Sequence, residues 1–367
     1  MIIDISNSEF KQIFDDERLY LPIRWAGDDF VSVLEELFHL YQKRIDKLHK
    51  KDAYIEIERI KTCCSLIVKT VQSYLNGFPA DAFEIFQALM KELKLNPLKL
   101  YRKSINEIFE FSGYNDPLNL YRVVSVSDNV PYGRSRVFHT PYNLRSKVST
   151  SRYSIAGYPS LYLGTSIELC KEEVRFNPYD KYAIASLFKL ERNLKSCGTE
   201  IKVIELALKP QDFFQEDKNE YNNRQIRKRC FDYHEINENS VKSAYLLWYP
   251  LIAACSYIRA NKSDPFAAEY IIPQLLMQWV RHELAEGNKM YDELIGIRYF
   301  SCASNKASDM GFNYVFPTSG KQDWRLPFCR VLMKAFKLTK PVFIHEFRDE
   351  FECEQKLQQM TLDKVKY

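Results

Sequence analysis

Arg152-Tyr153-Ser154-Ile155-Ala156-Gly157-Tyr158-Pro159-Ser160-Leu161-Tyr162-Leu163-Gly164-Thr165-Ser166-Ile167-Glu168-Leu169-Cys170-Lys171-Glu172-Glu173 reads as turn, strand, turn and helix. Gly157 and Pro159 punctuate the entry, Ser160 to Leu163 has strand character, and Gly164-Thr165-Ser166 turns into a helix that Thr165 or Ser166 can cap. A cation thus precedes the strand, an aromatic sits within it, and a carboxylate follows about two turns into the helix. Such a set can hold a phosphate-bearing substrate with a positively charged leaving group, so it is the first place to look for chemistry.

Further strands are expected on both sides of this stretch. Leu118 to Val126 precedes it, and Tyr182 to Leu190, Ile201 to Leu208, Gly296 to Cys302, Asn313 to Pro317 and a segment near Pro341 to His345 follow it. Two apolar helices, about Val241 to Arg259 and Ala267 to Ala285, interrupt the series, and a charged, helix-like tail ends it. Their aromatic and methionine stripe (Trp248, Tyr249, Met277, Trp279) is core in character. The charged segment Asn219 to Arg229 reads as a surface insertion or helix face.

The first hundred residues follow a helical period. Phe30, Val33, Leu34, Leu37, Tyr41, Ile45 and Leu48 recur at three- and four-residue steps within Asp28 to Lys50. A second helix is expected from Ala53 to Leu75 before Asn76-Gly77, a third from Pro79 to Leu95 before Asn96-Pro97, and a short one around Tyr101 to Phe111. The turn-rich Ser112-Gly113-Tyr114-Asn115-Asp116-Pro117 marks a boundary. The expected class is α+β: a helical domain over residues 1–114, then a mixed-sheet domain with inserted helices over 115–367.

Composition narrows the function classes. The 367 residues hold 52 Lys and Arg against 48 Asp and Glu, too even a balance for bulk attraction to nucleic acid or membrane. No apolar run approaches the roughly 20 residues of a membrane span, and the first residues lack the basic start of a signal peptide, so a cytosolic protein is expected. The nine cysteines form no Cys-x-x-Cys pair and have no His at zinc spacing. They read as reduced thiols, and no metal is expected.

Two local features stand out. Between Asp128 and Arg152 the chain carries Arg134, Arg136, Arg145, Lys147 and Arg152 against Asp128 alone. That charge suits a mobile lid over a substrate pocket, or else a solvated basic loop. Arg44 and His49 have the Arg-x4-His spacing of HEPN ribonucleases, which raises RNA cleavage as an alternative activity.

Three separated pieces now line up: Tyr121-Arg122-Val123, Arg152 to Glu173, and Gly296-Ile297-Arg298-Tyr299-Phe300-Ser301 leading to Asn313-Tyr314-Val315. Their order resembles the RES-domain family, named for its Arg, Glu and Ser. Members of that family look like ADP-ribosyltransferases in fold and consume NAD. Arg122 matches the first-strand Arg, Arg152 the turn Arg, Tyr162 the strand Tyr, Glu173 the helical Glu, and Ser301 the Ser. The likeness covers about residues 118–320, with Ser151, Ser154 and Phe300 in place of the family's Gly, Asn and Pro. The helical region in front is similar to the HEPN-like extension of longer RES proteins.

The resemblance implies an NAD-consuming toxin or defence effector. NAD would be the substrate, a protein antitoxin a conceivable partner and a homo-oligomer a conceivable state, with no membrane role. The chemistry is coherent on its own terms. Cleaving the nicotinamide–ribose bond passes through an oxocarbenium-like state that a carboxylate stabilises, which is the role given to Glu173, with Glu172 as the other candidate. Arg122 and Arg152 would fork onto the pyrophosphate, with Tyr153 beside them as a further contact. Tyr162 would pack on nicotinamide or ribose, and the Ser301 hydroxyl would orient an amide or ribose hydroxyl. A catalytically idle binding module is the remaining alternative.

Overall fold

The computed structural model describes residues 5–27, 29–48, 54–95, 102–104, 119–176, 182–191, 199–213, 238–261, 263–286, 292–319, 323 and 325–366. The chain is of mixed α and β structure and divides into two units, Met1–Arg102 with Leu208–Trp279, and Lys103–Ala207 with Val280–Tyr367. The division differs from the boundary expected near residue 114, which places the apolar helices with the sheet: contacts group Leu208–Trp279 with the N-terminal helices.

The helical unit contains α1 (Asn7–Ile13), α2 (Phe30–Ile45), α3 (Tyr54–Leu75) and α4 (Pro79–Leu95). The sequence reading missed α1, whose start is marked by Ser6 and Glu9 in a reciprocal capping box. Phe10, Phe14 and Tyr41 pack against Tyr245 and Tyr249, which lie on a later helix, Glu238–Ala254. Burying phenols is tolerable only if their hydroxyls are matched. Tyr41 donates to the Leu246 carbonyl at 2.7 Å and Tyr249 to that of Leu19 at 2.8 Å.

Among the described residues, nine strands form one mixed sheet on which the second unit is built. They are β1 (Arg102–Ser104), β2 (Leu120–Val126), β3 (Ser160–Gly164), β4 (Tyr182–Leu190), β5 (Thr199–Leu206), β6 (Asp292–Phe300), β7 (Phe312–Pro317), β8 (Phe336–Leu338) and β9 (Val342–Phe343). The order is β1-β5-β6-β7-β3-β2-β4-β8, with β9 also on β4. A helix was expected around residues 101–111; Arg102–Ser104 is strand, and the remainder lies outside the described residues, as does Asn219–Arg229.

Strands β5 and β6 run parallel, from Thr199 opposite Asp292 to Leu206 opposite Tyr299. Parallel neighbours need a long crossover, and here it carries the helices Glu238–Ala254 and Ile271–Glu286. Side chains alternate across the sheet. Leu161, Leu163, Tyr314 and Phe316 enter one apolar cluster; Tyr121, Val123, Ala183 and Ala185 enter another with Ile167 and Cys170 of α5 (Ile167–Val174).

The basic segment after Asp128 is more firmly anchored than its composition suggests. It forms two short 3-10 turns, Arg134–Val137 and Tyr142–Lys147, and Val137, Phe138 and His139 are buried. Arg134 and Arg136 donate to the backbone carbonyls of Leu338 and Ser125. Those two arginines therefore fasten the segment down, Arg136 while remaining exposed, which counts against a freely mobile lid.

Candidate functional site

Ser166 caps α5 by accepting from the Leu169 N–H, and the helix amide of Ile167 donates to Glu354 at 2.7 Å. Two glycines let this helix start close to the sheet. A Cβ on Gly164 would come within 2.7 Å of the Cys170 sulfur, and one on Gly311, at φ +135°, within 2.3 Å of the Thr165 hydroxyl. Thr165 is held by Phe312 through its backbone N–H and its side-chain oxygen.

This placement brings Glu173, in the last turn of α5, to the edge of β7. The Asn313 side-chain amide donates to the Glu173 carboxylate at 2.6 Å. Asn313 is buried, while Glu172 and Glu173 are exposed at the residue level. Of the two carboxylates, it is Glu173 that the sheet holds. In the strand register Asn313 faces Gly164 on one side and Tyr299 on the other. Asn313 was seen in the sequence only as part of a strand; its link to Glu173 depends on register, which no local pattern announces.

Tyr299 is the centre of the arrangement. Burial pushes its phenol well above the ordinary pKa; the carboxylate of Glu173 and the phenol of Tyr162 push it further, while the guanidinium of Arg152 opposes them. The ring packs on Tyr153 with centroids 4.6 Å apart. The charges of Glu173 and Arg152 and the phenol of Tyr162 thus all act on one buried, neutral phenol.

Tyr162 fixes the turn that carries Arg152. Its hydroxyl donates to the Tyr153 carbonyl at 2.5 Å and lies 2.6 Å from the Ser151 hydroxyl, so it bonds both residues flanking the arginine. Ser154 closes the turn, donating to the Ser151 carbonyl and accepting from the Ser151 N–H, each at 2.9 Å. Arg152 is buried and Tyr153 almost completely so, which makes Tyr153 a packing residue that contributes its carbonyl.

Arg122 reaches this region from β2. The described residues pair β2 with β3 at one position, Tyr121 opposite Gly164. The Arg122 guanidinium links the two strands by donating to the Tyr162 carbonyl at 3.0 Å, while its Nε is buried without a hydrogen-bond partner. Removal from water lowers its pKa to about 10, so the side chain stays cationic near neutral pH.

Ser301 behaves differently. It follows β6, is fully shielded from solvent, and its hydroxyl accepts from the Ala303 N–H at 3.1 Å. That bond closes the turn after the strand.

The alternative pair is also placed in part. Arg44 is held by Asp15 at 2.7 Å and Asp16 at 3.3 Å, and His49 lies outside the described residues. Among the described residues no three His, Cys, Asp or Glu side chains gather as metal ligands, and no helix is long and apolar enough to cross a membrane. The seven described cysteines are buried, and none of them forms a disulfide.

Chemically, the arrangement offers an amide-held carboxylate, a neutral buried phenol and two guanidinium groups. No protein-family model matches the chain, and no solved structure matches it. The chain is 26% identical over 348 residues to a protein of Bacillus subtilis (strain 168) named "Putative toxin YopC". The likeness takes in 92% of this chain and 71% of that protein.

Proposed function

We propose that this protein cleaves the nicotinamide–ribose bond of NAD at the Glu173 site. The observation that carries the reading is the carboxylate of Glu173, held at 2.6 Å by the Asn313 amide beside Tyr299, with Tyr162 and Arg152 around the same phenol. In the reaction the C–N bond breaks and its electron pair leaves with nicotinamide, neutralising the pyridinium. Positive charge then develops on the ribose, where a fixed carboxylate lowers the barrier most, until water, phosphate or a protein side chain forms the new bond to the same carbon and gives up its proton. Asn313 holds that carboxylate in place without neutralising it.

Arg152 and Arg122 suit the negatively charged pyrophosphate, and a bond that orients it contributes in the ground state and the transition state alike. Tyr162 acts chiefly by holding the Arg152 turn, since its hydroxyl is already engaged twice. The likeness to a Bacillus subtilis protein named "Putative toxin YopC" supports a toxin-like role; on this reading growth arrest follows from NAD loss, and a protein antitoxin is the matching partner.

The test is direct. Purified protein incubated with NAD should release nicotinamide, and the Glu173→Gln variant should not. Induced expression should lower cellular NAD and stop growth only for the wild type. Absence of nicotinamide release from folded wild-type protein, with and without added phosphate or candidate protein acceptors, overturns the reading.

A further inference from the structure

A second cluster lies at the opposite end of β3, around Tyr158. Its hydroxyl donates to the Thr318 carbonyl at 2.9 Å. Two cations meet its ring: the guanidinium of Arg281 at 5.0 Å from the centroid and that of Arg145 at 6.0 Å. An aromatic face attracts a cation, but it does little to offset the repulsion between two of them.

Nearby donors have nothing to donate to. One terminal nitrogen of Arg281 and the hydroxyls of Ser160 and Ser319 are buried without a hydrogen-bond partner among the described residues. Both serines are more than nine-tenths buried, at 9% and 4% exposure. They are brought together by the sheet. Ser160 stands opposite Pro317 in the β3–β7 register, the Thr318 N–H donates to the Pro159 carbonyl at 3.2 Å, and Ser319 is the next residue.

Buried polar atoms are almost always matched, so a group of unmatched donors beside two cations calls for an acceptor that carries negative charge. A phosphoryl group has the required form. Its oxygens can take the forked N–H bonds of a guanidinium and two hydroxyl bonds at once, which a monovalent halide cannot. We propose that Arg281, Ser160 and Ser319, with Arg145 supplying further charge, form a binding site for a phosphoryl oxyanion. The source is either free phosphate or the phosphate of a nucleotide. The site stands on its own contacts and does not need Glu173 to be catalytic.

The experiment is calorimetric titration of the full chain at fixed ionic strength with inorganic phosphate and, separately, with AMP; sodium chloride is the control. Saturable heat with phosphate or AMP is expected. Binding by phosphate alone assigns the free ion, and binding by AMP alone assigns a nucleotide. Arg281→Ala should weaken the bound species about tenfold or more, and Ser160→Ala and Ser319→Ala about threefold each. The serine variants keep the proposal testable if loss of Arg281 impairs folding. Glu173→Gln should bind as the wild type does, which separates this site from the proposed cleavage. Absence of saturable binding by either probe, or undiminished binding by folded serine variants, overturns it.

Discussion

Asn313 and Glu173 meet at 2.6 Å across a gap of 140 positions in the chain, one on a strand inside the sheet and one in the last turn of a helix laid beside it. A strand amide thereby selects which of two adjacent carboxylates is fixed. Glu173→Gln should keep the fold, because Gln can still accept from Asn313, and lower nicotinamide release about a hundredfold or more with little change in KM. Glu172→Gln should stay near normal. Steady-state nicotinamide release by both variants, with melting curves as control, checks the pair.

Tyr162→Phe should act on the arginine turn. Losing a hydroxyl that engages Tyr153 and Ser151 should cost about 1–2 kcal/mol of stability and raise KM for NAD more than it lowers kcat. Equilibrium unfolding and steady-state kinetics together test this. An unchanged KM in a folded variant would remove Tyr162 from its proposed positioning role.

Gly311→Ala should destabilise the unit that carries the site by about 2 kcal/mol or more. The new Cβ would meet the Thr165 hydroxyl at 2.3 Å, at a φ of +135° that side chains avoid. Thr165 would have to release Phe312, so the start of α5 should loosen as well. Urea midpoints and amide exchange at Ile167 to Cys170 measure the two effects.

His139 should make stability fall in acid. Its Nε2 accepts from the Cys329 N–H and its Nδ1–H donates to the Thr140 carbonyl, so the neutral ring is the fitted form. Burial lowers its pKa from 6.5 to about 4. Between those values the unfolded chain binds the extra proton and the folded one does not. Stability is therefore full above about pH 6.5 and drains as pH falls toward 4, by up to roughly 3 kcal/mol. The difference in unfolding free energy between wild type and His139→Phe should shrink over that window and stay flat above it.

The periodic parts of the chain were legible before the structure. The apolar steps of α2, α3 and α4, the strand at Leu161-Tyr162-Leu163 and the capped helix leading to Glu173 all follow local rules. What escaped depends on distant partners. Asn313 became a site residue only through register with Gly164 and Tyr299. Ser301 looked like a presented hydroxyl, but a strand end does not reveal that the next turn uses it. The arginines after Asp128 looked like a lid because charge is visible in a sequence and the carbonyls that receive it are not. The stripe through Trp248 and Tyr249 announced burial without naming the core that Tyr249 would join.

The parallel pairing of β5 with β6 bears on the order in which the molecule can form. Strands β2, β3 and β4 can pair as soon as they are made, and α5 can bring Glu173 beside them. Tyr299 and Asn313 lie past the crossover, and β6 must find β5 from Thr199 opposite Asp292. Closing so long a loop is slow compared with local pairing. During synthesis, therefore, the carboxylate precedes the amide and phenol that complete its surroundings, and any chain cut short before Asp292 carries Glu173 without either. The last stretch to fold acts as a timer on the site.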